Sequence, residues 1–230
     1  MSAPITIIIP TLNAADRIGP CLGALGEGLF EGLIREVIFA DGGSCDAIAE
    51  VADEIGATLI TAAKGRGAQL RAGANAAKGP EWLLFLHADT VLGPDWPNAV
   101  RQHLSNAPDK SACFKLEFSN DSLAARWVAG WANLRTRLFG LPYGDQGLLI
   151  QRKLYDQIGG YRDIPLMEDV AIARALGPRR IQLMECVAVT SAERYERDGW
   201  MKRGLRNLTT LGLYLAGRSP EALVGRYEKH

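Results

Sequence analysis

Four short apolar runs, Ile5–Ile9, Val37–Ala40, Thr58–Thr61 and Trp82–Leu86, alternate with helix-forming stretches at the start of the chain. Strand and helix repeated in this way imply an α/β fold with a parallel sheet and right-handed crossovers. The fourth run is the most informative. It lies between Pro80 and Gly93-Pro94 and stops at His87-Ala88-Asp89, so it reads as a strand buried on both faces. Asp89 then stands just past the strand's carboxyl end, the edge of an open α/β sheet where ligands bind. A carboxylate there is costly to desolvate unless a cation or hydrogen-bond donors meet it. Alone, Asp89 has a plainer reading as a turn residue or as a cap before Trp96.

The other strand ends carry matching chemistry. The β-branched run Ile5–Ile9 ends in Pro10-Thr11-Leu12-Asn13. A helix is predicted over 14–25, with Pro20 weakening it or sitting near its first turn. Val37–Ala40 ends in Asp41-Gly42-Gly43-Ser44, with Ser44 or Asp46 the expected cap of the next helix. Asp41 can accept hydrogen bonds from a base or ribose, because glycine lets backbone approach closely; the bland alternative is a turn. After Thr58–Thr61, Lys64-Gly65-Arg66-Gly67 leads into a small-residue helix over 68–77. Two cations at a helix start make an anion site, unless the loop is merely solvated. Leu70 occupies the place of the third glycine of a dinucleotide fingerprint, and no P-loop lysine motif is present.

The second half is less regular. A strand is predicted over 112–118 and a helix over 123–139, with Trp127, Trp131, Leu134 and Leu138 on one stripe. Gly144-Asp145-Gln146-Gly147 precedes a short strand, 148–151, and Met167-Glu168-Asp169 opens a helix. Adjacent carboxylates there either complement the helix dipole or include a general base. A strand pair is predicted near 181–183 and 187–190, and an amphipathic helix over 200–215. With no repeat, low-complexity tract or linker, residues 1–230 read as one domain with two functional halves, 1–95 and 96–230.

Composition narrows the partners. Lys and Arg total 26 and Asp and Glu total 26, so no global field favours nucleic acid and any anion site must be local. The four cysteines are scattered without a CxxC pair, which points to neither zinc nor a disulfide framework. No apolar run approaches the roughly 20 residues that span a bilayer. The chain is expected to be cytoplasmic. Two basic aromatic stretches, around Arg126, Trp127, Trp131, Arg135 and Arg137 and around Trp200, Lys202, Arg203 and Arg206, leave peripheral contact with the inner face of an anionic membrane open. The alternative is that both stripes pack on the core.

Together, Ile9-Pro10-Thr11-Leu12-Asn13, Asp41-Gly42-Gly43-Ser44, His87-Ala88-Asp89 and Glu168-Asp169 resemble glycosyltransferase family 2 with the GT-A fold, over about 4–176. The segments from Lys64 to Leu70, Tyr143 to Gly147, and Thr190-Ser191 resemble a small bacterial subgroup of transferases found near radical-SAM and selenodomain genes. The resemblance implies a mostly parallel, Rossmann-like sheet flanked by helices, with a smaller acceptor-side half. It implies that Pro10, Thr11, Asn13 and Asp41 hold a nucleoside and that Lys64 and Arg66 face a diphosphate. Asp89 would ligate a divalent metal, Asp169 would act as base, and Asp145, Gln146 and Glu168 would lie on the acceptor side.

The family pattern is Asp-x-Asp, and here His87 takes the first place. One carboxylate with phosphate oxygens suits Mg²⁺; an imidazole ligand would favour Mn²⁺. The Gln-x-x-Arg-Trp motif of processive members is absent, which implies transfer of one sugar from a nucleotide-diphosphate sugar to an acceptor the sequence does not name. A nucleotidyltransferase of similar fold is one rival, although Pro10-Thr11-Leu12-Asn13 lacks the glycine-rich loop expected there. A non-catalytic nucleotide-sugar-binding protein is the other.

Overall fold

The computed structural model describes residues 3–79 and 81–227. One eight-stranded sheet organises them: β1 (Ile5–Thr11), β2 (Ile34–Asp41), β3 (Thr58–Thr61), β4 (Trp82–Phe85), β5 (Thr90–Leu92), β6 (Ser111–Phe118), β7 (Leu148–Gln151) and β8 (Ile181–Thr190). Their spatial order is β3-β2-β1-β4-β7-β6-β8-β5. The first four pair in parallel, as the alternation predicts. Beyond β4 the sheet is mixed, because β7 runs antiparallel to both β4 and β6.

Successive residues of the central strands feed opposite faces. Ile7, Ile9 and Leu84 belong to one buried cluster, while Ile8, Leu83 and Phe85 belong to the other. A strand buried on both faces must therefore be apolar at every position, which is the pattern seen. Helices α1 (Gly19–Phe30), α2 (Ile48–Glu54), α3 (Arg66–Ala76), α4 (Trp96–Asn106), α5 (Leu123–Phe139), α6 (Arg152–Gln157), α7 (Glu168–Leu176), α8 (Glu193–Asp198), α9 (Trp200–Leu215) and α10 (Pro220–Tyr227) complete the chain. Each large side chain buried in these clusters contributes roughly 1.5–3 kcal/mol.

Three expectations need correction. The first helix starts at Gly19 and not near residue 14, with Pro20 in its first turn, where a missing N–H costs nothing. Ser44 and Asp46 do not cap α2. Asp46 instead accepts a hydrogen bond from the Ala15 N–H at 2.7 Å, and Ser44 is engaged by Asn13. The expected strand pair near 181–190 is a single strand. Cys113 pairs with Leu183 and Lys115 with Val187, so extra residues bulge out of β8 between them.

Candidate active site

A cleft of about 560 Å³ opens where the carboxyl ends of β1, β4 and β8 meet the starts of α3 and α7. It brings Pro10, Thr11, Lys64, Arg66, His87, Asp89, Asp145, Glu168 and Asp169 together from segments far apart in sequence.

The donor-side loops are tied to one another. Asp41 accepts hydrogen bonds from Thr11 Oγ1 at 3.0 Å, from the Gly43 and Ser44 N–H groups at 2.9 and 2.8 Å, and from the Ser44 hydroxyl. Burial pushes the Asp41 carboxyl up, but the bonds from Ser44, Gly43 and Thr11 outweigh it and hold the group below the usual carboxylate range. Asp41 thus uses its acceptor capacity on its own loop and on the end of β1, and it does not line the cleft. Asn13 plays a similar part with a left-handed backbone, φ 48°. Its N–H donates to Ser44 Oγ, and its Oδ1 accepts from the Cys45 N–H at 2.9 Å.

Gln69, which the sequence reading missed, is the third tie. It is buried, and its Nε2 donates to the carbonyls of Thr11 and Ala40 at 2.7 and 2.8 Å, fastening α3 to the ends of β1 and β2.

Lys64 and Arg66 line the opposite wall. Arg66 opens α3, with one guanidinium nitrogen 3.7 Å from Glu168 Oε1, so the pair links the starts of α3 and α7. Gly67 reinforces that junction. A Cβ there would lie 2.2 Å from the Arg162 carbonyl oxygen, so only glycine lets α3 start against that loop.

At the far wall, Met167 takes a left-handed conformation, φ 67°, immediately before Glu168 and Asp169. Non-glycine residues held this way cost of order 1–3 kcal/mol and concentrate at functional sites. Glu168 is 4% exposed. Burial first, and then the Asp169 charge, push its carboxyl above the usual range, with Arg66 pulling the other way. Asp169 is partly exposed to the cleft. Its Oδ2 accepts the Gly144 N–H at 3.0 Å and its Oδ1 the Val170 N–H at 2.7 Å, which fixes the carboxylate plane.

His87 follows β4, with its Nδ1 2.7 Å from Asp145 Oδ1. Burial opposes ionisation of Asp145. The hydrogen bond and charge of His87 reverse that, with Arg66 and Arg194 adding, and bring the carboxyl to about 2. An ionised carboxylate only accepts, so the Nδ1–H of His87 donates to it. A Cβ at residue 144 would come within 2.8 Å of Nε2, so glycine keeps that ring edge clear.

Gln146, expected on the acceptor side, does not line the cleft. It is fully buried, its Oε1 accepts from the Tyr143 N–H and Thr136 Oγ1, and its Nε2 donates to the Phe114 carbonyl. Its role is to anchor the loop that carries Gly144 and Asp145. Arg135, buried on α5, supports the same loop with its guanidinium 3.4 Å over the Tyr143 ring. Sequence reasoning also missed Arg194, Asn207 and Leu211, which come from α8 and α9 to line the cleft.

Among the described residues, no three His, Cys, Asp or Glu side chains gather to hold a metal. Asp89, with His87 beside it, fits a cation that completes its shell with phosphate oxygens rather than one held in a protein cage.

Residues 6–162 match the family model described as glycosyl transferase family 2. The chain belongs to that family. No curated protein sequence matches this chain. Among solved structures, mannosyltransferase PcManGT from Pyrobaculum calidifontis, in complex with GDP-Man and Mn²⁺, is 16% identical. The match covers 96% of this chain and 67% of that one, with a TM-score of 0.67. The S. aureus TarS fragment 1–349 with UDP-GlcNAc is 15% identical at TM-score 0.61; the match covers 83% of this glycosyltransferase and spans only 58% of the TarS chain. Glucosyl-3-phosphoglycerate synthase from Mycobacterium tuberculosis, with Mn²⁺, UDP and glucosyl-3-phosphoglycerate, is 18% identical over 82% of this chain and 70% of its own, at TM-score 0.55. At these identities the likeness establishes the GT-A fold.

Proposed function

We propose that this glycosyltransferase moves one sugar from a nucleoside diphosphate sugar to an acceptor hydroxyl, with inversion at the anomeric carbon. The observation that carries this reading is the convergence of Lys64 and Arg66 with Asp89 and Asp169 in one cleft. Two cations suit a diphosphate leaving group, one carboxylate suits its counter-ion, and the other suits a nucleophile's proton. Mannosyltransferase PcManGT and glucosyl-3-phosphoglycerate synthase are solved with Mn²⁺ and a nucleotide, which supports the donor class.

Pro10 and Thr11 lie at the donor end, where a nucleoside would sit. Lys64 and Arg66 stabilise the diphosphate as charge develops on it. Asp89, with His87 Nε2, would hold a divalent cation, Mg²⁺ or Mn²⁺, which supplies further neutralisation of the leaving group. Asp169, its plane fixed by Gly144 and Val170, takes the acceptor proton. The hydroxyl oxygen attacks the anomeric carbon from the face opposite the diphosphate, and a single displacement inverts it. Base catalysis of this kind contributes roughly 10²–10⁴-fold.

Incubation with UDP- and GDP-sugars, with and without Mn²⁺, tests the reading. Release of free nucleoside diphosphate supports it. Formation of UTP or GTP and sugar 1-phosphate when pyrophosphate is added would instead indicate a nucleotidyltransferase, and binding without turnover a non-catalytic protein.

A further inference from the structure

Helix α5 is amphipathic in the wrong direction for a core helix. Its buried face is small or polar: Ala125, Val128, Ala129, Ala132, Arg135 and Thr136. Its large apolar residues point outward, with Trp127 60%, Trp131 44%, Leu134 45% and Leu138 62% exposed. The stripe expected to seek the core does not enter it. Helix α9 packs beside α5 and shows the same habit, with Met201 and Leu205 both 67% exposed. Exposed apolar side chains scattered singly need no explanation, but four on one stripe of α5, with more on the helix packed beside it, mark an interaction site.

Charge says what covers it. The segments forming α5 and α9 contain no carboxylate; Arg126, Arg137 and Lys202 are exposed on them, whereas Arg135 and Arg203 are buried. The whole chain balances 26 cations against 26 anions, so this is a local asymmetry. Arg137 meets Glu185, while Arg203 and Arg206 meet Asp198. Arg126 and Lys202 are exposed beside Trp127 and Met201, and neither has an ion-pair partner among the described residues. A second copy is a poor occupant, because a two-fold contact would set each unpaired cation against cations of the other copy. An anionic lipid surface meets both properties at once. Apolar side chains enter the headgroup boundary, indole rings settle at that depth, and cations face the phosphates.

We propose that the outward faces of α5 and α9 dock this protein on an anionic phospholipid bilayer. The opposite side of α9 gives Asn207 and Leu211 to the cleft, so the bilayer lies about one helix diameter, roughly 10 Å, from the cleft. An acceptor hydroxyl borne on a membrane amphiphile then follows. That last step rests on the transferase reading, whereas the docking does not.

Flotation of the purified full chain with vesicles tests the docking. Phosphatidylcholine vesicles containing phosphatidylglycerol should carry the protein at low salt, at least about tenfold better than phosphatidylcholine alone, and added salt should release it as screening grows. The double variant Trp127→Glu/Leu138→Glu should lose binding, and Arg126→Glu/Lys202→Glu should weaken it, each with an unchanged thermal midpoint. Wild-type protein that stays in the aqueous phase at low salt overturns the proposal. So does vesicle binding that survives both double variants. A stable dimer in sedimentation velocity that Trp127→Glu/Leu138→Glu dissolves, with no vesicle binding, would assign the face to a second copy instead. A thermal shift with UDP or GDP, measured on the same samples, separates the two readings: lipid binding with no nucleotide response leaves the docking intact and removes the transferase.

Discussion

His87 Nδ1 lies 2.7 Å from Asp145 Oδ1, although the two residues are 58 positions apart. The contact ties the end of β4 to the loop that carries Gly144 and Asp145. Asp145 accepts from the Nδ1–H and so orients the ring, with Nε2 on its other edge as the nitrogen that would face a cation. Partners that orient a ligating histidine in this way are worth about 10–100-fold in metal affinity or activity. Asp145→Asn should therefore raise the Mn²⁺ concentration needed to support nucleotide binding by about 10–100-fold, read by titration calorimetry with UDP and GDP. An unchanged requirement would show that His87 takes no part.

Asp169→Asn should bind donor normally and transfer at least about 10²-fold more slowly, because the change removes the base and keeps the shape. Separate measurement of nucleotide affinity and single-turnover rate checks this. Transfer near the wild-type rate would move the role to Glu168 or Asp145.

Chelation should stop turnover. We expect EDTA to abolish transfer and Mn²⁺ or Mg²⁺ to restore it. Asp89→Ala should weaken nucleoside diphosphate binding more than nucleoside binding, since the cation acts on the phosphates. Full activity in EDTA would leave leaving-group neutralisation to Lys64 and Arg66 alone.

The Asp41 loop should respond to acid. Folding holds the Asp41 carboxyl below its usual range, so the folded chain gives up that proton more readily than the unfolded one. The resulting stability is complete above the unfolded value, about 3.9, and is lost as pH falls through the lower folded value. Asp41→Asn should cost about 1–3 kcal/mol at neutral pH and should lose part of the acid sensitivity. Urea unfolding at pH 7 and across the acid range measures both.

Much of this was legible in the chain because local chemistry dictated it. The runs at Ile5, Thr58 and Trp82 had to be strands, and Asp89 and Asp169 had to mark loop and helix starts. Other features were invisible because they depend on long-range packing. Gln69 reads as an ordinary helix residue, yet it fastens two strand ends through carbonyls that only the fold brings within reach. Gln146 sits in a polar motif that looks solvent-facing, but Phe114 and Thr136 draw it inside. The stripe on α5 had the right spacing for a core helix, and periodicity cannot say which side of a helix the domain will cover.

The contact at Gly67 has a consequence for how such a protein diversifies. Backbone from the donor half rests directly on backbone from the segment that leads to Asp169, with no side chain between them. Neither wall can be reshaped by substitution without displacing the other. Substitutions are tolerated more easily away from this seam, at exposed positions such as those of the C-terminal helices.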